Sequence, residues 1–315
     1  MAGQRGSVAP WVAGGVVALA AAAVLNQGAA AAAEAEFPPI GDVIEVDGVT
    51  VHYTDTGGSG DPIVLIHGNG SLVQDFAAAG LVERLAMTHR VIAFDRPGYG
   101  YTARPEGRDW TAEAQAALLA TAAERIGVTR PIVVGHSWGT LVAIAWALAR
   151  PAEVKALALL AGYYYPTARP DAMLLNIAEV PLLGRVFTDA WAPVQTRLIG
   201  PLGNKLVFSP AAVTPGFRDG MPFGLMLRPS QVRASAEDGA QMPANAARLA
   251  ERYGELKLPI VVLWGDGDKM VKQSGQSERL VAELSTAAGK AMPDVGHMIH
   301  HVRPGAVAAA ILALG

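Results

Sequence analysis

Residues Pro131 to Leu141 read PIVVGHSWGTL, and the fold follows from how this stretch is parsed. The run Ile132, Val133, Val134 has the length and β-branched content of a buried strand. It breaks at Gly135, and after Gly139 the chain becomes an Ala- and Leu-rich run with helical character. A strand, a sharp turn and a helix put the Ser137 hydroxyl at an apex, projecting away from both elements. Glycines two residues before and two after it let strand and helix close on each other. The five-residue pattern is weak on its own, because a chain with 35 glycines in 315 residues produces such matches by chance. A Gly-rich strand end with a solvated serine is the competing explanation, and the rest of the chain has to decide.

A 51% hydrophobic content is ample for a sizeable core in one large or two ordinary domains. The formal net charge of -3, with Lys and Arg thinly spread, lacks the electrostatic footprint of a nucleic-acid binder. There is no cysteine, which removes disulfides, thiol nucleophiles and thiolate metal sites together but does not identify the compartment. No metal-binding spacing or phosphate loop of the usual kinds appears, so neither a metal nor another cofactor is expected.

Residues 1–33 have the layout of an export signal. Arg5 supplies a short positive region, Val8 to Leu25 is uncharged, and Gly28 to Ala35 offers small-x-small cleavage sites. An uncleaved membrane anchor is the alternative, since the apolar run approaches spanning length. Alanine richness and the breaks at Pro10, Gly14 and Gly15 lower its hydrophobicity and favour cleavage. Either way Arg5, the sole Lys or Arg before Arg84, stays inside and the folded body lies outside the cytoplasm, periplasmic, extracellular or membrane-anchored. Residues 34–41 then form a linker. Besides a small-molecule substrate, the expected partner is a membrane contacted through this N-terminal segment.

Val43 to Val46 and Val49 to Tyr53 alternate apolar and polar residues around Asp47-Gly48, a hairpin signal. Apolar runs at Pro62 to Ile66, Arg90 to Phe94, the opening stretch, Val154 to Leu160 and Pro259 to Trp264 alternate with helical segments at Phe76 to Met87, Trp110 to Ile126 and Trp138 to Ala149. A helix over Gln276 to Leu284, a weak strand near Lys290 and a helix over Pro304 to Leu314 close the chain. This rhythm predicts an α/β fold: a mostly parallel sheet with helices on both faces, built from residues 42–162 and 259–315. Residues 163–258, rich in Pro, Met, Arg and aromatics, break the rhythm and form a cap over one end of the sheet.

A serine hydroxyl needs a base within hydrogen-bond reach and a third group to orient that base. Reactive groups of an open parallel sheet gather beyond the carboxyl ends of its strands. His297, in the loop before the closing helix, meets that condition; His300 and His301 lead into the helix, where packing roles are commoner. His136 adjoins Ser137 on too tight a turn to serve it, and the His67 main chain is more informative than its ring. The carboxylate is Asp266 or Asp268, at the end of the preceding strand.

These residues together resemble the α/β-hydrolase superfamily. The elbow Gly135-His136-Ser137-Trp138-Gly139, the His67-Gly68-Asn69-Gly70 loop, the Asp95 to Gly100 turn and the chain order Ser, Asp, His all match its pattern. The resemblance selects Asp268 over Asp266, makes His297 the base, and assigns the oxyanion hole to the main-chain amides of Asn69 and Trp138. It also implies that the cap sets substrate choice. Tyr163 and Tyr164 are candidate substrate contacts, with Tyr165, Trp191, Phe217 and Phe223 as further aromatics and Arg169, Arg228 and Arg233 as candidate anion contacts. Members that cleave carbon-halogen bonds or epoxides carry an aspartate at the elbow, which Ser137 argues against.

The function this implies is a capped serine hydrolase acting on a small, fairly apolar carboxylic ester or thioester. A carbon-carbon bond hydrolase or a cofactor-free perhydrolase uses the same triad. An exported, non-catalytic binding protein on the same fold is the alternative of another class.

Overall fold

The computed structural model describes residues 9–167 and 186–315. Arg5, Val8 and Arg169 lie outside the described residues.

Eight strands form one sheet, in the order β1-β2-β4-β3-β5-β6-β7-β8. β1 (Asp42–Val46) and β2 (Val49–Asp55) are an antiparallel hairpin, with Val46 opposite Val49. Its turn residues Asp47 and Gly48 both have positive φ, the geometry that the twist of a two-residue hairpin demands. β2 runs antiparallel to β4 (Arg90–Phe94), and every later pairing is parallel: β4 with β3 (Pro62–Ile66), then β5 (Ile132–His136), β6 (Ala156–Leu160), β7 (Ile260–Gly265) and β8 (Ala287–Met292).

The central strands are buried on both sides, and the alternation of their side chains makes two cores. On β3, Val64 and Ile66 face the layer of α4 (Ala112–Arg125) and α5 (Gly139–Ala149), while Ile63 and Leu65 face the opposite layer. That second layer is made by α3 (Leu81–Ala86) and by the closing helix, α12, at Pro304–Leu312. The helix expected over Phe76 to Met87 is two pieces, α2 (Gln74–Ala78) and α3, because Gly80 between them takes a left-handed φ of 65°. α4 starts where Thr111 caps it, its hydroxyl accepting from the Ala114 amide at 3.2 Å.

Between β6 and β7, the described part of the cap comprises α6 (Ala192–Phe208), α7 (Pro215–Gly220), α8 (Phe223–Met226) and α9 (Pro229–Ala250). α9 lies directly on the core. Its Asn245 Oδ1 accepts from the Ala112 amide at the start of α4, and its Asp238 carbonyl accepts from Trp138 Nε1 at 2.9 Å. After β7 come α10 (Ser277–Glu283), β8, α11 (Ile299–Val302) and α12.

Residues 9–36 form one helix, α1 (Ala9–Glu36), which runs through the expected cleavage region and into the expected linker. Its C-terminal part belongs to the fold. Asn26, 1% exposed, donates to the carbonyls of Asp189 and Ala190 at 2.8 and 3.1 Å and accepts from Arg197 Nη1 at 2.8 Å. Ala33 is buried among Leu72 and Leu225, against Gly224, where a Cβ would come within 2.8 Å of it. Arg228 closes the contact by pairing with Glu34 at 2.8 Å.

Candidate active site

Ser137 sits at the β5–α5 turn with φ 51°, a left-handed conformation that costs a non-glycine residue about 1–2 kcal/mol. The surroundings hold it there. Its amide donates to Leu160 O at 2.9 Å, and its carbonyl accepts from the Thr140 hydroxyl at 2.6 Å. The flanking glycines are required by contact rather than by φ: a Cβ on Gly135 would come within 2.5 Å of the Gly139 carbonyl oxygen, and one on Gly139 would strike the Ile66 and His67 carbonyls.

His297 Nε2 lies 2.9 Å from Ser137 Oγ, and His297 Nδ1 lies 2.8 Å from Asp268 Oδ2. Asp268 itself is fixed. Its Oδ1 accepts from the amides of Met270 and Val271 at 2.8 and 3.1 Å, and its Oδ2 also accepts from Gln273 Nε2 at 2.9 Å. With the Nδ1 proton directed at that carboxylate, Nε2 faces the serine as an acceptor. Asp266 points elsewhere, to the Asp294 amide at 2.9 Å in an exposed loop. The His297 loop leans on the cap: the His297 amide donates to Val207 O at 2.8 Å, on the last turn of α6.

Asn69 and Trp138 both lie beside Ser137, but their side chains are engaged elsewhere. Asn69 Nδ2 donates to Ser235 O at 3.0 Å, its Oδ1 accepts from the Tyr99 hydroxyl at 2.5 Å, and the Trp138 indole is bonded to Asp238 O. What the two residues can offer a developing negative oxygen is their main-chain N–H.

Beneath this loop is a network that the sequence did not reveal. Arg96, fully buried, donates to the carbonyls of His67 and Gly68 at 3.0 and 3.1 Å, to Gln115 Oε1 at 2.9 Å and to Asp238 Oδ2 at 2.5 Å. Its guanidinium stacks on Tyr99 and Trp138 at 4.4 and 4.5 Å from the ring centres. The single Tyr99 hydroxyl proton is shared between Asn69 Oδ1 and Asp238 Oδ2, so one cap carboxylate steadies both Arg96 and the tyrosine beside Asn69. Burial, and then the Arg96 charge, push the His67 imidazole down to about 4, leaving a neutral ring whose Nε2 accepts from the Arg96 amide.

A family model described as alpha/beta hydrolase fold matches residues 61–304, which contain Ser137, Asp268 and His297. The chain belongs to the α/β-hydrolase family. A 2-hydroxy-6-oxononadienedioate/2-hydroxy-6-oxononatrienedioate hydrolase from Paraburkholderia xenovorans is 27% identical to it over 257 residues, covering 80% of this chain and 86% of that protein. Haloalkane dehalogenase 2 from Mycobacterium tuberculosis is 26% identical over 275 residues, 83% of this chain and 90% of that protein. Among solved structures, a membrane phospholipase A superimposes with a TM-score of 0.61 at 22% identity, covering 98% of this chain and 95% of that one, a likeness of fold that extends over α1. The named relatives are hydrolases, and this chain is one too.

A cavity of about 1090 Å³ in the hydrolase runs from Asn69 and Gly70 to α6. Its walls are mainly apolar: Trp191, Phe217, Phe223, Met226 and Val232 line it. Tyr163 and Tyr164 do not, which corrects their expected substrate contact. Both are buried in the core beside α5, where the amide of Tyr164 is held by Gln276 at 2.6 Å and its carbonyl by Tyr253 at 2.6 Å. The arginines are occupied as well, Arg228 with Glu34 and Leu225 O, Arg233 with Asp189 at 2.7 Å.

Three more histidines stand behind the site. His136 turns away from Ser137, as the tight turn requires, and its Nε2 lies 3.2 Å from His297 O, where it donates to the His297 main chain. Burial holds this ring well below the usual imidazole range, so it stays neutral. Asp75, His300 and His301 present three buried metal-type ligand atoms within 4.8 Å of one another. Both Nε2 atoms already bond Asp75, at 3.1 and 2.7 Å, and both Nδ1 atoms lack the second partner that orients a metal-bearing imidazole. The cluster is a hydrogen-bonded carboxylate anchoring α11 to α2.

Proposed function

We propose that the protein is a serine hydrolase that cleaves a fairly apolar carboxylic ester or thioester through an acyl-enzyme on Ser137. The observation that carries this reading is the unbroken hydrogen-bonded line from Asp268 through His297 to Ser137 Oγ, with 2.8 and 2.9 Å links. His297 Nε2 takes the Ser137 proton as the oxygen adds to the substrate carbonyl, and Asp268 stabilises the imidazolium that forms. The main-chain N–H groups of Asn69 and Trp138 receive the negative oxygen. Collapse of the tetrahedral adduct expels the alkoxide or thiolate, which takes the proton from His297, and water then repeats the sequence on the acyl-enzyme.

A carbon-carbon bond hydrolase is the second reading, favoured by the name of the Paraburkholderia xenovorans relative. It uses the same residues on a ketone carbonyl. Carbon-halogen displacement, the activity named for the mycobacterial relative, is disfavoured by a hydroxyl rather than a carboxylate at the elbow. Aryl esters of increasing acyl length, assayed beside a dienone carbon-carbon substrate, separate the readings. Turnover of the esters with a Ser137→Ala variant inert supports the first; turnover of the dienone alone would replace it with the second.

A further inference from the structure

The cap helix α6 carries an apolar stripe on its solvent side. Trp191, just before it, and Val194, Leu198, Leu202 and Leu206 recur at three- and four-residue spacing and are exposed, Leu198 by 75% and Leu202 by 68%. Such a contiguous face on a monomer marks an interaction site. The same helix lines the cavity that reaches Asn69 with Gln195, Ile199 and Asn204, of which Gln195 and Ile199 are also open to solvent. One helix therefore borders both an outward apolar surface and the cavity, with Trp191 shared between them.

The position of α1 identifies what covers that surface. Among the described residues it holds a 20-residue stretch, Val17–Glu36, long and apolar enough to cross a membrane. From Asn26 onward the helix is tied to the cap, so the end that can enter a bilayer is the one before it; the sequence from Ala9 to Leu25 contains no charged residue, and Val17, Val24 and Leu25 are exposed. These 17 residues rise roughly 25 Å, a little less than a hydrocarbon core of about 30 Å. The bilayer surface must then fall close to Asn26. Asn26 is bonded to Asp189 and Ala190, immediately before α6, and to Arg197 within it, so the start of the stripe lies at that same level. Trp191 has the amphipathic ring enriched at such interfaces, and Arg197, Lys205 and Arg218 ring the cavity beside it, complementary to anionic headgroups.

We propose that α1 stays uncleaved in the membrane, that the α6 stripe rests on the lipid surface, and that the cavity draws the acyl chain of an amphiphilic ester from that surface to Ser137. This rests on the serine-ester reading for its last step only. A volume of about 1090 Å³ is at the large end of small-ligand pockets, and its mainly apolar walls suit a long chain. Cleavage within Gly28 to Ala35 would instead strip Asn26 from the cap and leave Ala190 and Arg197 without it.

The absence of native cysteine allows a direct test on the full chain. Leu198→Cys and, as control, Met87→Cys, three residues before β4 and so at the amino ends of the parallel strands, 79% exposed, are each labelled with an environment-sensitive fluorophore and reconstituted into phosphatidylcholine–phosphatidylglycerol vesicles. Doxyl-labelled lipid is expected to quench the probe at 198 and leave that at 87 unchanged. Equal response at both positions would overturn the proposal, and so would energy transfer between labelled chains without lipid quenching, which would show a second copy covering the stripe. The combined L198Q/L202Q/L206Q variant, whose side chains lie outside the cavity wall, is expected to lose about tenfold or more of its turnover of a long-chain ester held in vesicles. Its kcat/KM on a soluble short-chain ester should stay unchanged. Equal turnover of the vesicle-borne ester by variant and wild type would overturn delivery from the surface. Wild-type protein inert on both esters would refute the serine-ester reading, while the quenching result would still decide the docking.

Discussion

Asp238 Oδ2 accepts from Arg96 Nη1 at 2.5 Å, across 142 residues of sequence, and neither side chain meets solvent. Cap and core are thus joined under the loop that carries Asn69. Removing the charge with Asp238→Asn leaves the buried Arg96 without its counter-ion, while Arg104 keeps Glu237, and should cost about 3–5 kcal/mol in urea unfolding. Unfolding at an unchanged urea concentration would show that the pair is not what holds the loop.

Tyr99 separates positioning from stability. Its hydroxyl bonds both Asn69 Oδ1 and Asp238, so Tyr99→Phe should cost only about 1–3 kcal/mol of stability. It should lower kcat more than it raises KM, because the donor N–H of Asn69 loses its fixed position. A change confined to KM would assign Tyr99 to substrate binding instead.

Asp268 and Asp266 differ by contact, not by chemistry. Asp268→Asn removes the acceptor that sets the His297 tautomer, and kcat on any accepted ester should fall by about 10⁴. Asp266→Asn alters a single bond to the Asp294 amide, and its kcat should stay within about twofold, as for a surface substitution. Steady-state kinetics of the two variants decide the matter, and the reverse ranking would move the acid.

His52 predicts a pH dependence of stability. Its Nδ1 bonds Asp95 at 2.6 Å and its Nε2 bonds the Ile40 carbonyl, so both ring nitrogens face acceptors and the ring is held as imidazolium. Burial opposes the charge, but Asp95 outweighs it and the pKa is raised above 6.5. The sign follows: this stabilisation is complete below the unfolded value near 6.5 and is lost as pH rises through the folded one. Thermal stability should therefore fall in the wild type as pH rises through that raised value, and His52→Asn should flatten that part of the profile. A profile unchanged by the substitution would contradict the imidazolium.

Much of this architecture is legible in the chain. The strands are short apolar runs ended by glycine, and Ser137, Asp268 and His297 stand at strand ends, where chemistry in an open sheet collects. Other features leave no local trace. Asp238 lies in a long polar helix where an aspartate ordinarily faces water, and only tertiary packing turns it toward Arg96. Tyr163 and Tyr164 look like pocket aromatics because they begin the cap, yet the chain folds inward there. The Ala-rich α1 has no charge pattern to mark one end as packed; the buried Asn26 is the signal, and a lone asparagine is not distinctive. Arg96 lay within a turn already singled out, but its reach beneath the Asn69 loop depends on a cap helix far along the chain.

The central claim is that Ser137 is a nucleophile activated by His297. Incubation of the full chain with a fluorophosphonate, followed by mass spectrometry of the peptide containing residue 137, tests it most directly. One phosphonyl group on Ser137 is predicted, absent from Ser137→Ala and strongly slowed in a His297→Ala variant. A folded wild-type protein that stays unmodified, or one labelled at another residue, would contradict the account.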